Sequence, residues 1–125
     1  MKDRKRPIVH AELLLFLVFL LLPLGASVRA MNAGFACPDW PLCFGDIIPD
    51  YHPQVYFEFI HRVLAGFVGI YYLFFTYKAF RSNEVANSTK LLTFFTLIVL
   101  GSQVILGALT VTMHLDEYIV AAHLS

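Results

Sequence analysis

Residues 55–80 read VYFEFIHRVLAGFVGIYYLFFTYKAF, and only Glu58, Arg62 and Lys78 in this run carry a charge. An apolar run of about 20 residues is long enough to cross a hydrocarbon core about 30 Å thick as a helix. Two further runs, Ile8–Val28 and Leu91–Met113, meet the same requirement. The sequence therefore predicts an all-α, polytopic membrane bundle with three spanning helices, at about 8–28, 55–80 and 91–113.

The composition agrees with a membrane location. The chain has 125 residues, of which 58% are hydrophobic and 14% charged, and its formal net charge is zero. Soluble domains carry about a quarter charged residues. A neutral chain gives no reason to expect nucleic-acid binding, so the expected surroundings are membrane lipid.

The basic residues predict the orientation of the helices. Residues 30–54 contain no lysine or arginine. The basic residues cluster instead before the first helix and around the link between the second and third: Lys2, Arg4, Lys5, Arg6, Lys78, Arg81 and Lys90. Because basic loops stay in the cytoplasm, the amino terminus is expected there, with loop 30–54 outside. The first run could instead be a secretory signal, but it exceeds the usual length of about 7–15 apolar residues, and Arg29 makes the cleavage context imperfect.

The outer loop contains the only two cysteines, in CPDWPLC at residues 37–43. An oxidising compartment favours a disulfide between Cys37 and Cys43, and the two prolines between them restrict the chain. The pair is interpreted as a structural staple or as a redox-active pair. Two thiolates alone do not form the four-ligand set of a zinc site. Trp40 suits the membrane interface.

The second helix carries ionisable groups close to its outer end. Glu58, His61 and Arg62 are spaced at i, i+3 and i+4, so they share one face. Ionisable residues inside a spanning segment are functional candidates, and the alternative is an interfacial Glu58–Arg62 ion pair with His61 pointing outward.

A second histidine lies at a similar depth near the end of the chain. His123 comes about six residues into a fourth apolar segment, and His61 about six residues into the second helix, so both lie roughly 8–10 Å below the outer boundary. Two imidazoles at equal depth suit a metal or a haem held between helices. Gln103 is interpreted as structural, and His10, His52 and His114 as solvated residues at boundaries.

The fourth helix, at 117–125, is expected to be incomplete. Its length is too short to span, since each helical residue rises about 1.5 Å. The chain is accordingly expected to be one membrane domain, residues 1–125, that forms part of a larger protein.

Four motifs together resemble the amino-terminal half of haem A synthase. They are CPDWPLCFGDIIP (37–49), YFEFIHRVLAGFVG (56–69), LGALTV (106–111) and His123. The resemblance extends from about Gly25 to the end. It departs from the family at VRAMNAGFACPDW (28–40), where a threonine–glycine–serine–glycine approach is commoner, and in lacking the carboxy-terminal half.

The resemblance implies a fold, a reaction and roles for individual residues. The family consists of two similar four-helix halves and oxidises a methyl group of haem O to the formyl group of haem A for cytochrome oxidase. His61 and His123 would hold haem O through its iron, Glu58 would be the essential carboxylate, and Cys37 and Cys43 would be the paired cysteines.

The resemblance also implies partners and a location. The carboxy-terminal half would hold haem b and pass electrons, so this chain alone is expected to be inactive. Haem O synthase and cytochrome oxidase assembly factors are the implied partners, and the bacterial inner membrane is the implied location.

Three other functions are compatible with parts of the pattern. A b-type cytochrome subunit would use the same histidines without needing Glu58. A membrane disulfide oxidoreductase would use the outer cysteines, although that class needs more than two. An assembly subunit without enzymatic activity would bind no haem.

Overall fold

The computed structural model describes the backbone of residues 5–124 and the side chains of residues 8–124. Four helices follow one another in the chain: α1 (Lys5–Ala30), α2 (Pro53–Arg81), α3 (Asn87–Thr112) and α4 (Glu117–Leu124). Within the described residues the β-type pairing is limited to a bridge between Cys43 and Asp46. The all-α prediction is confirmed. Lys2 and Arg4, used to predict orientation, and Ser125, at the end of the predicted fourth helix, lie outside the described residues.

Three of the helices are long and apolar enough to cross a membrane. The most apolar 18-residue window has a mean hydropathy of 2.3 within Ile8–Ala30, of 1.5 within α2 and of 2.1 within α3. Their large side chains point outward; Ile70 is 72% exposed and Leu91 69%. Exposure of such a continuous apolar surface to water is unfavourable, and contact with lipid tails stabilises it.

Local chemistry determines where the helices begin. Pro53 occupies the first turn of α2, where its missing N–H leaves no hydrogen bond unmade. Asp116 caps α4, because its Oδ1 accepts hydrogen bonds from the backbone N–H groups of Tyr118 (3.0 Å) and Ile119 (3.3 Å). The helices are a few residues longer than the apolar runs at most ends, since polar flanking residues can continue a helix beyond the hydrocarbon.

The helices pack in chain order, α1 on α2, α2 on α3 and α3 on α4. The Tyr71 hydroxyl lies 2.5 Å from His10 Nδ1 and links α1 to α2, and the Tyr72 hydroxyl donates to the Thr93 carbonyl (3.3 Å) between α2 and α3. His10 is therefore a bonded interhelical residue, not the solvated one that its position in the sequence suggested. At the other end, the loop between α1 and α2, called the outer loop after its predicted orientation, covers the bundle with a small core of Cys37, Cys43 and Val55.

Candidate haem site at the outer end of the bundle

His61 lies on α2 with its imidazole against α1. A Cβ atom placed on Gly25 would lie 3.1 Å from His61 Cε1, so a larger residue at this position would require the ring to shift by a few tenths of an ångström. The Nδ1 atom of His61 is buried and has no hydrogen-bond partner among the described residues.

His123 repeats this arrangement on the other pair of helices. Its imidazole extends from α4 toward α3, where a Cβ on Gly107 would lie 3.1 Å from His123 Cε1. Its Nδ1 is also buried without a hydrogen-bond partner in the part of the chain described, and the backbone of Gln103 lies beside the ring. Each histidine thus lies against a glycine of the neighbouring helix.

These two histidines differ from His10 in their bonding. His10 Nδ1 is paired with Tyr71, whereas the buried Nδ1 atoms of His61 and His123 make no hydrogen bond in the described fold. An unpaired buried nitrogen is costly and indicates a ligand or a functional role.

The donor set fits haem better than a metal ion held by side chains alone. Among the described residues no group of three or more histidine, cysteine or acidic side chains could hold a metal ion. A haem needs few protein ligands, and two imidazoles could supply them. His61 and His123 are the residues that would hold it.

Glu58 lies one turn before His61 and is only 4% exposed. Its Oε2 accepts a hydrogen bond from the Cys37 backbone N–H (2.8 Å), and its Oε1 forms an ion pair with Arg62 Nη2. The two carboxylate oxygens are therefore occupied by two different partners, one neutral and one charged.

Arg62 has a larger role than the sequence suggested. Besides Glu58, its guanidinium donates to three backbone carbonyls of the outer loop, those of Asp39 (2.6 Å), Leu42 (2.8 Å) and Cys37 (3.1 Å). Five fixed donors make arginine suited to such a site. The motif alone could not reveal these bonds, because their acceptors are backbone atoms 20 to 25 residues away.

Cys37 and Cys43 form a disulfide and are 0% and 2% exposed. Asp39, inside the ring, accepts hydrogen bonds from the backbone N–H groups of Phe44 (2.7 Å) and Gly45 (2.8 Å). The bond from Gly45 has the largest effect in lowering the pKa of Asp39 below its ordinary value, and the bond from Phe44 adds to it. The loop is thus closed by a covalent bond, by Asp39 and by Arg62.

Two glycines of α2, Gly66 and Gly69, have no such neighbour. Positions 66 and 69 have no atom within 4 Å of an added Cβ, in contrast to Gly25 and Gly107. The sequence interpretation gave neither of the latter a part in the site. Gly107 belongs to the LGALTV motif, but the sequence does not show that α4, and with it His123, packs against this part of α3.

The chain is similar to known proteins over most of its length. Residues 9–125 match the family described as cytochrome oxidase assembly protein. The haem A synthase of Shouchella clausii (strain KSM-K16) is 34% identical over 108 residues, which cover 85% of this chain and 36% of that protein. The haem A synthase of Shewanella oneidensis (strain MR-1) is 33% identical over an alignment of 128 positions, which covers 86% of this chain and 38% of that protein.

No solved structure matches the chain. The chain spans a little over a third of the length of these two curated relatives. The three long apolar helices and the family together make it a multi-pass membrane protein. Because the match extends over residues 9–125, the chain belongs to the haem A synthase family of cytochrome oxidase assembly proteins.

Proposed function

We propose that this chain takes part in haem A synthesis by holding haem O between His61 and His123. The observation that carries the proposal is that both imidazoles lie against a glycine and bury an unpaired Nδ1. The bound group supplies the iron chemistry that oxidises a methyl substituent to a formyl group. The chain supplies ligation, orientation and a route for protons.

Glu58 is the proposed proton carrier. Oxidation of a methyl group to a formyl group removes protons as well as electrons, and Glu58 lies at the outer end of the bundle, one turn from His61. A proton is more easily placed on Oε2, whose partner is the neutral Cys37 amide, than on Oε1, which faces the Arg62 guanidinium.

The partners and the location are part of the same proposal. Because the match covers only 36% of the Shouchella clausii relative, a second, similar half holding haem b would pass electrons to this one. Haem O synthase would supply the substrate, and assembly factors would deliver haem A to cytochrome oxidase. The bacterial organisms of the relatives support the inner membrane as the location.

The second candidate is a b-type cytochrome that transfers electrons without changing its haem. The engagement of both Glu58 oxygens favours it, since a carboxylate that only holds Arg62 and Cys37 would be structural. A disulfide oxidoreductase is less favoured because the sulfur atoms are buried, and thiol exchange needs access to one of them.

Replacement of each histidine by methionine tests the ligand assignment. His61→Met and His123→Met should each change the absorption spectrum of the haem-loaded protein and lower its haem content. His52→Met, at an exposed position before α2, is the matched control and should leave both unchanged. Wild-type spectra and haem content in both variants would show that another pair of ligands is used.

A further inference from the structure

We propose that residues 33–37 of the outer loop form a bridge that positions α4, and with it His123, relative to α2 and His61. The inference rests on the proposed function, because two side chains can bind one group only if their helices are held at a defined separation. Phe35 and Leu115 are its positioning residues.

The helix α4 has few other restraints. It has eight residues and packs on α3, and in the described part of the chain no Cα atom of α1 or α2 comes within 8 Å of one in α4. Its direction is set by the preceding turn, where His114 and Leu115 have φ angles of 55° and 60°. Leucine rarely adopts this left-handed conformation, so the turn needs support from its surroundings.

The outer loop provides that support at one end of the bridge. Leu115 Cδ2 lies 3.5 Å from the position of a Cβ on Gly34. The rings of Phe35 and His114 lie against each other with centroids 5.6 Å apart. The neighbouring Ala33 is fully buried, which fixes the start of the segment.

The other end of the bridge is bonded to α2. The Cys37 N–H donates to Glu58 Oε2 (2.8 Å), and the Cys37 carbonyl accepts from Arg62 Nη2 (3.1 Å). Glu58 and Arg62 lie three residues before and one after His61, so the bond acts on the turn that carries the ligand. Four consecutive residues, 34–37, thus connect the α3–α4 turn to the His61 turn of α2.

A distance measurement without haem tests the bridge directly. Genetically encoded spin labels at Ile60 on α2 and Tyr118 on α4, both exposed, leave the disulfide intact. Phe35→Ala should shift or broaden the distance distribution between them. Phe44→Ala, at an exposed phenylalanine of the same loop, and the conservative Phe35→Tyr should preserve it. Leu115→Ala removes the second contact and should act like Phe35→Ala.

A haem titration adds a readout that separates this inference from the proposed function. Phe35→Ala should weaken binding of iron protoporphyrin IX about two- to tenfold, the range expected for one aromatic contact, and alter its electron paramagnetic resonance spectrum. Unchanged distances in both Phe35→Ala and Leu115→Ala overturn the bridge. Changed distances in a protein that binds no haem support the bridge and overturn the proposed function.

Discussion

A buried imidazole nitrogen with no partner costs about 1–3 kcal/mol, because it gives up water without gaining a hydrogen bond. His61 and His123 each bury such a nitrogen, whereas His10 is paired with Tyr71. All three are histidines near helix ends, and only their contacts separate a structural residue from two candidate ligands. At the residue scale, bonding partners therefore carry more information than residue type.

Glu58 is the residue whose substitution best separates the two candidate functions. In the full-length enzyme, Glu58→Gln should still fold and bind haem, because an amide can keep the hydrogen bond from the Cys37 N–H, yet it cannot accept a proton. We expect haem O or a partly oxidised product to accumulate, as measured by chromatography of extracted haems together with protein abundance.

The control for this experiment is Glu84→Gln, in the exposed link between α2 and α3. It should leave haem A production at the wild-type level. Normal haem A production by Glu58→Gln at normal abundance would return Glu58 to the role of a structural ion pair.

Asp39 gives the outer loop a defined response to acid. Its backbone hydrogen bonds, led by the one from Gly45, lower its pKa. A carboxyl whose pKa is lower in the folded chain stabilises the fold at a pH above its pKa in the unfolded chain, about 3.9. This stability is lost as the pH falls through the lower pKa of the folded chain. The rate of disulfide reduction by a phosphine, divided by the rate for a short model disulfide at the same pH, should therefore increase as the pH falls below about 4.

Two variants check the origin of that response. In Asp39→Asn the disulfide should be reduced faster than in wild type already at neutral pH. The additional acceleration in acid should be absent from this variant. Asp46→Asn, in the same loop and exposed, should follow the wild-type profile. An Asp39→Asn protein with the wild-type pH profile would contradict the assignment to Asp39.

At the scale of the helices, glycine provides the space for each imidazole. An Ala Cβ at position 107 would lie 3.1 Å from His123 Cε1, so the ring would have to move. Overpacking of this kind typically costs about 1–3 kcal/mol, which corresponds to about five- to 150-fold in affinity. Gly107→Ala should lower haem affinity by about that factor in a spectrophotometric titration.

Gly101→Ala is the matched control on the same helix. No atom lies within 4 Å of the added Cβ, and alanine is favoured over glycine in a helix interior by about 0.8–1 kcal/mol. Haem affinity should be unchanged and the melting temperature equal or higher. Equal effects of the two substitutions would show that position 107 acts through helix propensity alone.

The existence of the helices was predictable, but the contacts of the site were not. Apolar runs of sufficient length predicted α1, α2 and α3, because hydrophobicity is read along the chain. The bonds of Arg62 to the outer loop and the contact of Gly25 with His61 join residues far apart in sequence. Helical spacing places Glu58, His61 and Arg62 on one face, but it does not identify what that face meets.

For the whole molecule, the distribution of basic residues makes a topological prediction. A periplasmic-active phosphatase fused after Gly45 should be active, and one fused after Glu84 should be inactive, because positively charged segments remain in the cytoplasm. A cytoplasm-active fluorescent reporter at the same two positions should give the reverse pattern and serves as the control. Fluorescence from the fusion at Gly45 would place this loop in the cytoplasm and contradict the predicted orientation.

The sequence by itself determined the all-α membrane fold, the family and the candidate site residues His61, His123 and Glu58. Hydrophobic length and motif identity are local properties, so they need no knowledge of packing. Only the tertiary structure decided that His61 faces Gly25, that His123 faces Gly107, and that Arg62 and Glu58 hold the disulfide loop. These contacts depend on which helix faces lie together, and inside lipid that choice follows from close packing and polar bonding between helices, not from hydrophobicity.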